Sequence, residues 1–456
     1  MAIDPSVFRA YDIRGKLSAG INTELAEVLG KAFGTYITRD KDDDAEIEVV
    51  VGQDNRDSGE ELKAALMRGL VSTGCTVYDI GMSTSPALYF TVGHRKLTGG
   101  VNVTGSHNPP DENGFKLVGE GNWPIAGDEI QQVKAIIDSG DFRSGQGRIE
   151  PLDHKPDYFA RVKEAARITR PFRVAVDTGN GVAGLFAPPL LRELGCDLVE
   201  LHCDLDSSYP NHLPDPQMPE NVVDLQEKVR ETGVDIGLAF DGDGDRLGVI
   251  DERGERHEAD YILMLLARDL LAEQPGSSVI VDIKTSQPVI DDITEHGGNP
   301  IVWKTGHSHI KIKMREQETP LAGEASGHIF YAENFYADDA LFAACKLLSF
   351  LAKSDKPLSA HLTDIPRWYT SPELRVPCAD DRKWDVVDAV AGVLRERYPS
   401  VEIDGIRATF PDGWALVRAS NTGPNLTVRF ESKTEEGLAA IDAEVKAVLA
   451  EHVETW

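Results

Sequence analysis

The heptad TGSHNPP, residues 104–110, follows the apolar run GGVNV, so Ser106 lies where a buried strand hands over to a turn. A serine at such a point is expected to turn out to the surface, as a nucleophile must. His107 stands beside it, Asn108 offers an amide to hold the local backbone, and Pro109-Pro110 stiffens the exit. A Pro-bounded turn with a capping serine would carry the same local features, so the reading depends on what the rest of the chain places around it.

At 456 residues the chain is too long for one hydrophobic core, and roughly 150 residues per domain predicts three or four. Apolar residues make up 41%, with no low-complexity tract and no short-period repeat. The formal charge of −29 sets up a field that repels nucleic acid and anionic membranes, excluding both as expected partners. It repels phosphorylated metabolites too, so a site for one must concentrate basic groups or a divalent cation locally. The first residues, MAIDPSVFRAYDIRG, lack a basic region followed by an apolar run, and no eighteen apolar residues occur together, which predicts a cytoplasmic protein. Five scattered cysteines without CxxC spacing argue against a disulfide framework or a structural zinc site.

The pattern divides into segments 1–150, 151–252, 253–366 and 367–456. In the first, EIEVVVG, TVYDIG and GGVNVT alternate with the amphipathic SGEELKAALMRGLVSTG, as in a doubly wound parallel sheet, which places ligands at strand C-termini. Ahead of that sheet, FRAYDIRG puts Tyr11 and Arg14 in a turn closed by Gly15. The second segment repeats the plan: RVAVD is a strand, Thr178-Gly179-Asn180-Gly181 a packing turn, and GVAGLFAPPLLRELG a helix despite its Pro pair. In the third, EADYILMLLARDLLAE is a helix, SSVIVDIKTS a strand with Lys284 near its end, and NPIVWKTGHSHIK a strand leading into Gly306-His307. A linker is expected over 363–372, before a last segment of different character: strand, helix (DRKWDVVDAVAGVLRERY), strands, and a final helix from about Thr434.

The strongest metal signal is DGDGDRLGVID. Asp241, Asp243 and Asp245 alternate with glycines, so three carboxylates can curl around one hard cation. Glu252 falls at the twelfth position from Asp241, as in a calcium hand, but the sixth is Arg246 where glycine is needed, and both flanks are strand-like. Three carboxylates so close would repel one another unless neutralised.

Two further loops carry suitable chemistry. In GEASGHIF, Glu324 and Ser326 suit vicinal sugar hydroxyls, and His328 could touch a hydroxyl or phosphate. In RASNTGPNLTVRFES, Arg418, Ser420, Asn421 and Thr422 offer a guanidinium, hydroxyls, an amide and backbone N–H groups in one turn, a shape for a dianionic phosphate.

TGSHNPP with Asn113-Gly114-Phe115-Lys116, then DGDGDR, KTGHS with GEASGH, and RASNT, in that order, resemble the loops of the phosphohexomutases, in particular the phosphomannomutase/phosphoglucomutase branch. The resemblance covers nearly the whole chain. It implies three related mixed-sheet α/β domains and a smaller C-terminal α+β domain around a central cleft. Segments 1–150, 151–252, 253–366 and 367–456 would then carry the phosphoserine, metal, sugar and phosphate loops. It also implies that Ser106 carries a phosphoryl group, with Arg14 close by, and that one Mg2+ is held by Asp241, Asp243, Asp245 and a phosphoserine oxygen on Ser106, with Arg246 nearby. Hexose 1,6-bisphosphate would be the intermediate. Lys116 and His307 are the candidates for proton transfer, Lys116 with a pKa depressed by cationic neighbours, while His107 orients. Tyr11, Arg246, Lys284, Glu324, Ser326, His328, Arg418, Ser420, Asn421 and Thr422 would bind a phosphosugar. The expected state is a monomer or homodimer. A phosphoglucosamine mutase, a phosphatase using Asp241 and a non-catalytic sugar-phosphate binder are the alternatives.

Overall fold

The runs Glu48–Gln53 and Gly99–Val103 are apolar without alternation, the pattern of strands covered on both faces, and in the computed structural model both are buried almost throughout. The structure describes residues 4–42, 45–420 and 423–453. These two strands lie side by side and parallel in a seven-stranded sheet, joined on one side by Thr76–Met82 and Arg148–Pro151, also parallel. On the other side Glu112–Gly119 runs antiparallel to Gly99–Val103, and the edge strand Ile13–Lys16 runs antiparallel to Glu112–Gly119. The sheet is therefore mixed rather than parallel throughout.

The next two sheets, five-stranded each, repeat this plan. In the second, Asp197–Leu201, Arg173–Asp177 and Ile236–Phe240 are parallel, and Leu247–Ile250 returns antiparallel. In the third, Asn299–Trp303, Ser278–Asp282 and Leu321–Gly323 are parallel, and Ile329–Tyr331 returns antiparallel. Each time, the turn between the last parallel strand and the returning one carries a motif: residues 104–111, 241–246 and 324–328. Three sequence-distant loops thus occupy one topological position.

The fourth sheet is six-stranded and antiparallel, carrying the helices Lys383–Arg397 and Glu435–Leu449. The second and third sheets share one continuous core, in which Phe186 and Leu238 join Leu263, Phe342 and Leu348, while the first and fourth sheets have their own. Among the described residues, no helix is long and apolar enough to cross a membrane, and the five cysteines are free.

Local readings change in five places. Arg14 and Gly15 lie in a strand at the sheet edge, Arg14 opposite Gly114 and Gly15 opposite Asn113; the turn comes earlier, where Arg9 N–H donates to Asp12 O at 2.9 Å. The helix read over GVAGLFAPPLLRELG splits into a 3-10 turn, Val182–Leu185, and a helix, Ala187–Glu193, because the prolines fit only a first turn, where no N–H is needed. The strand read over NPIVWKTGHSHIK ends at Trp303, and His307 opens the helix His307–Glu316. Tyr369–Thr370, inside the stretch read as linker, already pairs with the fourth sheet. Arg418 lies within the strand Gly413–Ala419 rather than in the turn after it.

Candidate active site

Ser106 is only 2% exposed, not turned out to the surface, because the aspartate loop packs directly on it. A Cβ on Gly242 would lie 2.3 Å from the Ser106 carbonyl oxygen, so glycine alone permits that approach. The serine sits in the left-handed region at φ 49°, a conformation that needs support from its surroundings.

The support comes from two residues that the motif reading missed. Arg56 donates to the carbonyl oxygens of Pro109 (2.6 Å), Glu112 (2.9 Å), Ser106 (2.9 Å) and Asn108 (2.6 Å). Asp54, completely buried, accepts from Arg56 Nε (3.1 Å), Thr104 Oγ1 (2.7 Å) and Gly105 N (3.1 Å). Thr104 Oγ1 in turn accepts from Ser106 N at 2.8 Å. Both residues follow the strand Glu48–Gln53, at its C-terminal end, and that placement in a parallel sheet was the available signal. Asn108 bonds to side chains, accepting from Arg14 at 3.2 Å and donating to Glu112 at 2.6 Å.

Ser106 Oγ donates to Asp241 Oδ2 at 2.9 Å. Its one proton being so used, the 3.1 Å contact with His107 Nδ1 is a bond donated by the imidazole. Burial, reinforced by Arg246 and Arg14, holds the His107 pKa well below the ordinary range, consistent with a neutral ring.

Asp241, Asp243 and Asp245 are completely buried, each offering an oxygen within 4.8 Å of the others. Asp241 Oδ1 accepts from Asp245 N (2.9 Å) and Arg246 N (3.1 Å). Asp243 Oδ2 accepts from Ser85 Oγ and Lys116 Nζ (2.7 Å), and Asp245 Oδ2 from Lys116 Nζ. The Oδ1 atoms of Asp243 and Asp245 are buried with no hydrogen-bond partner among the described residues. Such oxygen donors, two of them orphaned, fit a hard divalent cation. Burial and then the Asp245 and Asp243 charges push Asp241 well above the usual carboxylate range, a repulsion that a cation would relieve.

Lys116 departs from expectation. Burial alone would depress its pKa, but Asp243 and Asp245 outweigh burial and hold it well above the ordinary lysine value. Its neighbours are anionic, because Asn102↔Lys116 pairing on the returning strand aims the side chain at the aspartate loop.

The other loops join through a chain of contacts. His328 lies 3.5 Å from Asp245 and 3.2 Å from Asp338, and accepts from Arg246 Nε at 3.2 Å. Asp338 also pairs with the buried Lys311 at 2.6 Å and stands 3.8 Å from His307, which burial holds well below the ordinary histidine range. Glu324, buried, accepts from Gly306 N, and Tyr11 donates to Thr305 O at 2.9 Å. Asp404 accepts from Thr305 N at 3.2 Å and from Arg418 Nε at 2.9 Å, tying the last loop to the third sheet. Lys284 crosses the same boundary to Glu373 at 3.2 Å. Ser326 is half-buried, and Ser420 follows the end of the strand bearing Arg418; Asn421 and Thr422 lie outside the described residues. Asp338, Lys311 and Asp404 were also missed: single acids and lysines carry no motif.

Family models match the chain in sequence: phosphoglucomutase/phosphomannomutase alpha/beta/alpha domain I over residues 5–144, domain II over 156–254, domain III over 258–369, and the C-terminal domain over 373–448. The chain belongs to the phosphoglucomutase/phosphomannomutase family. A phosphomannomutase/phosphoglucomutase of Pseudomonas aeruginosa is 42% identical over 439 residues, 96% of this chain and 94% of that one. A phosphoglucomutase of Neisseria meningitidis is 39% identical over 449 residues, 97% and 96% of the two chains. The crystal structure of a phosphoglucomutase/phosphomannomutase family protein from Burkholderia thailandensis superposes with a TM-score of 0.92 at 39% identity, covering all of both chains. The four family models follow one another along the chain and together span most of its length.

Proposed function

We propose that this chain is an isomerase interconverting hexose 1-phosphates and hexose 6-phosphates, of mannose and glucose alike, through phosphorylated Ser106 and a hexose 1,6-bisphosphate intermediate. The observation that carries the reading is the Ser106 hydroxyl bonded to Asp241 within the buried carboxylate trio. Relatives near 40% identity bear both sugar names, which supports the dual preference over glucosamine.

Asp241, Asp243 and Asp245, with a phosphoryl oxygen on Ser106, would hold Mg2+. When bound it would neutralise charge on the transferring phosphoryl group. The residues do the rest. Arg418 and Ser420, with Asn421 and Thr422, grip the phosphate that does not react, and Lys284, Tyr11, Glu324 and Ser326 hold the sugar. Arg14, Arg246, His328 and His107 line the serine's surroundings, the first two with full charges directed against phosphoryl oxygens. Lys116, beside Asp243 and Asp245, and His307, beside Asp338, are the groups that would move the hydroxyl proton. The bisphosphate must turn round before its second phosphoryl returns to Ser106, so Glu324 and Ser326 recognise hydroxyls that look alike in both orientations.

An aspartyl nucleophile at Asp241 fits less well, since both its oxygens already accept hydrogen bonds. The soluble phosphosugar substrates fit a cytoplasmic reaction by a monomer or homodimer. Incubation with glucose 1,6-bisphosphate and Mg2+ followed by peptide mass spectrometry tests the reading. Phosphoryl transfer to Ser106 supports it; a Ser106→Ala variant with full turnover overturns it.

A further inference from the structure

A second cluster with metal-binding chemistry lies in the second sheet, behind the aspartate loop. Asp177 ends the strand Arg173–Asp177, His202 follows the parallel neighbour Asp197–Leu201, and His212 comes from the long loop after it. One oxygen or ring nitrogen of each lies within 4.8 Å of the others. Asp177 is buried, and the His202 and His212 side chains retain 19% and 13% of their exposure, leaving a route for a small ion.

The hydrogen bonding of His212 gives an independent indication. Its Nδ1 lies 2.9 Å from the Leu213 carbonyl oxygen, which can only accept, so Nδ1 carries a proton. Its Nε2 lies 3.1 Å from Asp177 Oδ2, another acceptor. A neutral ring would set a lone pair against a carboxylate there, so the pair needs a positive charge: a proton on Nε2, or a cation shared by both groups. A backbone carbonyl on Nδ1 with Nε2 left for the ion is the way metal-bound histidines are commonly oriented. His202 sits at φ 49°, its carbonyl accepting from Asn180 N at 2.7 Å and Thr178 Oγ1 at 3.0 Å; its ring stands edge-on to His212 at 5.3 Å, with Nε2 3.3 Å from Asp224 Oδ2.

We propose that Asp177, His202 and His212 form a second metal site, for one borderline transition cation such as Zn2+, separate from the aspartate trio. Two imidazoles and one carboxylate select such an ion, whereas the all-oxygen trio suits Mg2+. Binding releases the Nε2 proton of His212. The ion would link two strands to the loop containing Pro214, whose carbonyl accepts from Gly242 N at 3.1 Å in the aspartate loop. Its role would be to stiffen the back of the active site.

Titration of the Mg2+-saturated full-length protein with Co2+, followed by its visible absorption, tests this. One equivalent of Co2+ is expected to give an intense low-coordinate band that excess Mg2+ does not remove. The band should persist in Asp243→Asn and be lost in both His212→Gln and His202→Asn, with folding checked by circular dichroism. Asn tolerates the left-handed conformation of residue 202, so that variant decides the matter if His212→Gln does not fold. Failure to take up Co2+, a band displaced by Mg2+, or a band retained in the histidine variants would overturn the proposal.

Discussion

Ser106 Oγ and Asp241 Oδ2, 135 residues apart in sequence, are 2.9 Å apart in the fold. The contact exists because the turns bearing them hold the same position in successive sheets. The Ser106 carbonyl and Gly242 meet so closely that any side chain there must force the loops apart. Gly242→Ala is expected to destabilise the protein by about 1–3 kcal/mol and, by displacing the serine, to lower kcat on the order of a hundredfold. Thermal denaturation and steady-state rates check both.

Arg56 is the frame of the serine loop, fully buried against Asp54 and bonded to four carbonyls. Arg56→Ala should cost about 3–5 kcal/mol by leaving Asp54 unpaired and should abolish turnover. Arg56→Lys should not restore it, since an ammonium cannot reproduce the guanidinium's planar fork. Urea unfolding midpoints and activity measure the two effects.

The orphaned oxygens of Asp243 and Asp245 predict a stabilising cation. Mg2+ at a hundredfold excess over its Kd should add about 3 kcal/mol to wild-type stability, a gain that Asp243→Asn loses. A chelator should abolish wild-type turnover, with recovery on adding Mg2+. Differential scanning fluorimetry across a Mg2+ series is the check.

His154 is buried at the start of the helix Lys155–Ala165, its Nε2 3.0 Å from Ser83 Oγ. Burial, with Lys155 next, lowers its pKa from 6.5 to about 4. Between those values the unfolded chain binds the proton and the folded one does not, so the contribution is fully present above pH 6.5 and is lost as pH falls toward 4. It amounts to about 3 kcal/mol. Relative to His154→Gln, the wild type should lose that much stability between pH 7 and pH 4, measured by urea unfolding at each pH.

Much of the site was legible because its residues travel in short runs: the serine heptad, the alternating aspartates, KTGHS, GEASGH and the Arg418 strand end. The succession of strands and helices along the chain was legible from apolar runs bounded by glycine. What escaped was set by tertiary packing. The burial of Ser106 depends on Gly242, and the charge of Lys116 on carboxylates 127 and 129 residues away. Arg56, Asp338 and Asp404 act through contacts with residues distant in sequence, such as Pro109, Lys311 and Thr305, which no local pattern announces. Arg14 joined a strand because its partner, Gly114, lies a hundred residues on.

Phosphorus NMR of the Mg2+-loaded protein, primed with a trace of glucose 1,6-bisphosphate and given equal mannose, glucose and glucosamine 1-phosphates, tests the central claim most directly. Mannose and glucose 6-phosphates should grow together without free phosphate. Release of inorganic phosphate in place of either 6-phosphate would contradict the phosphoserine mutase account.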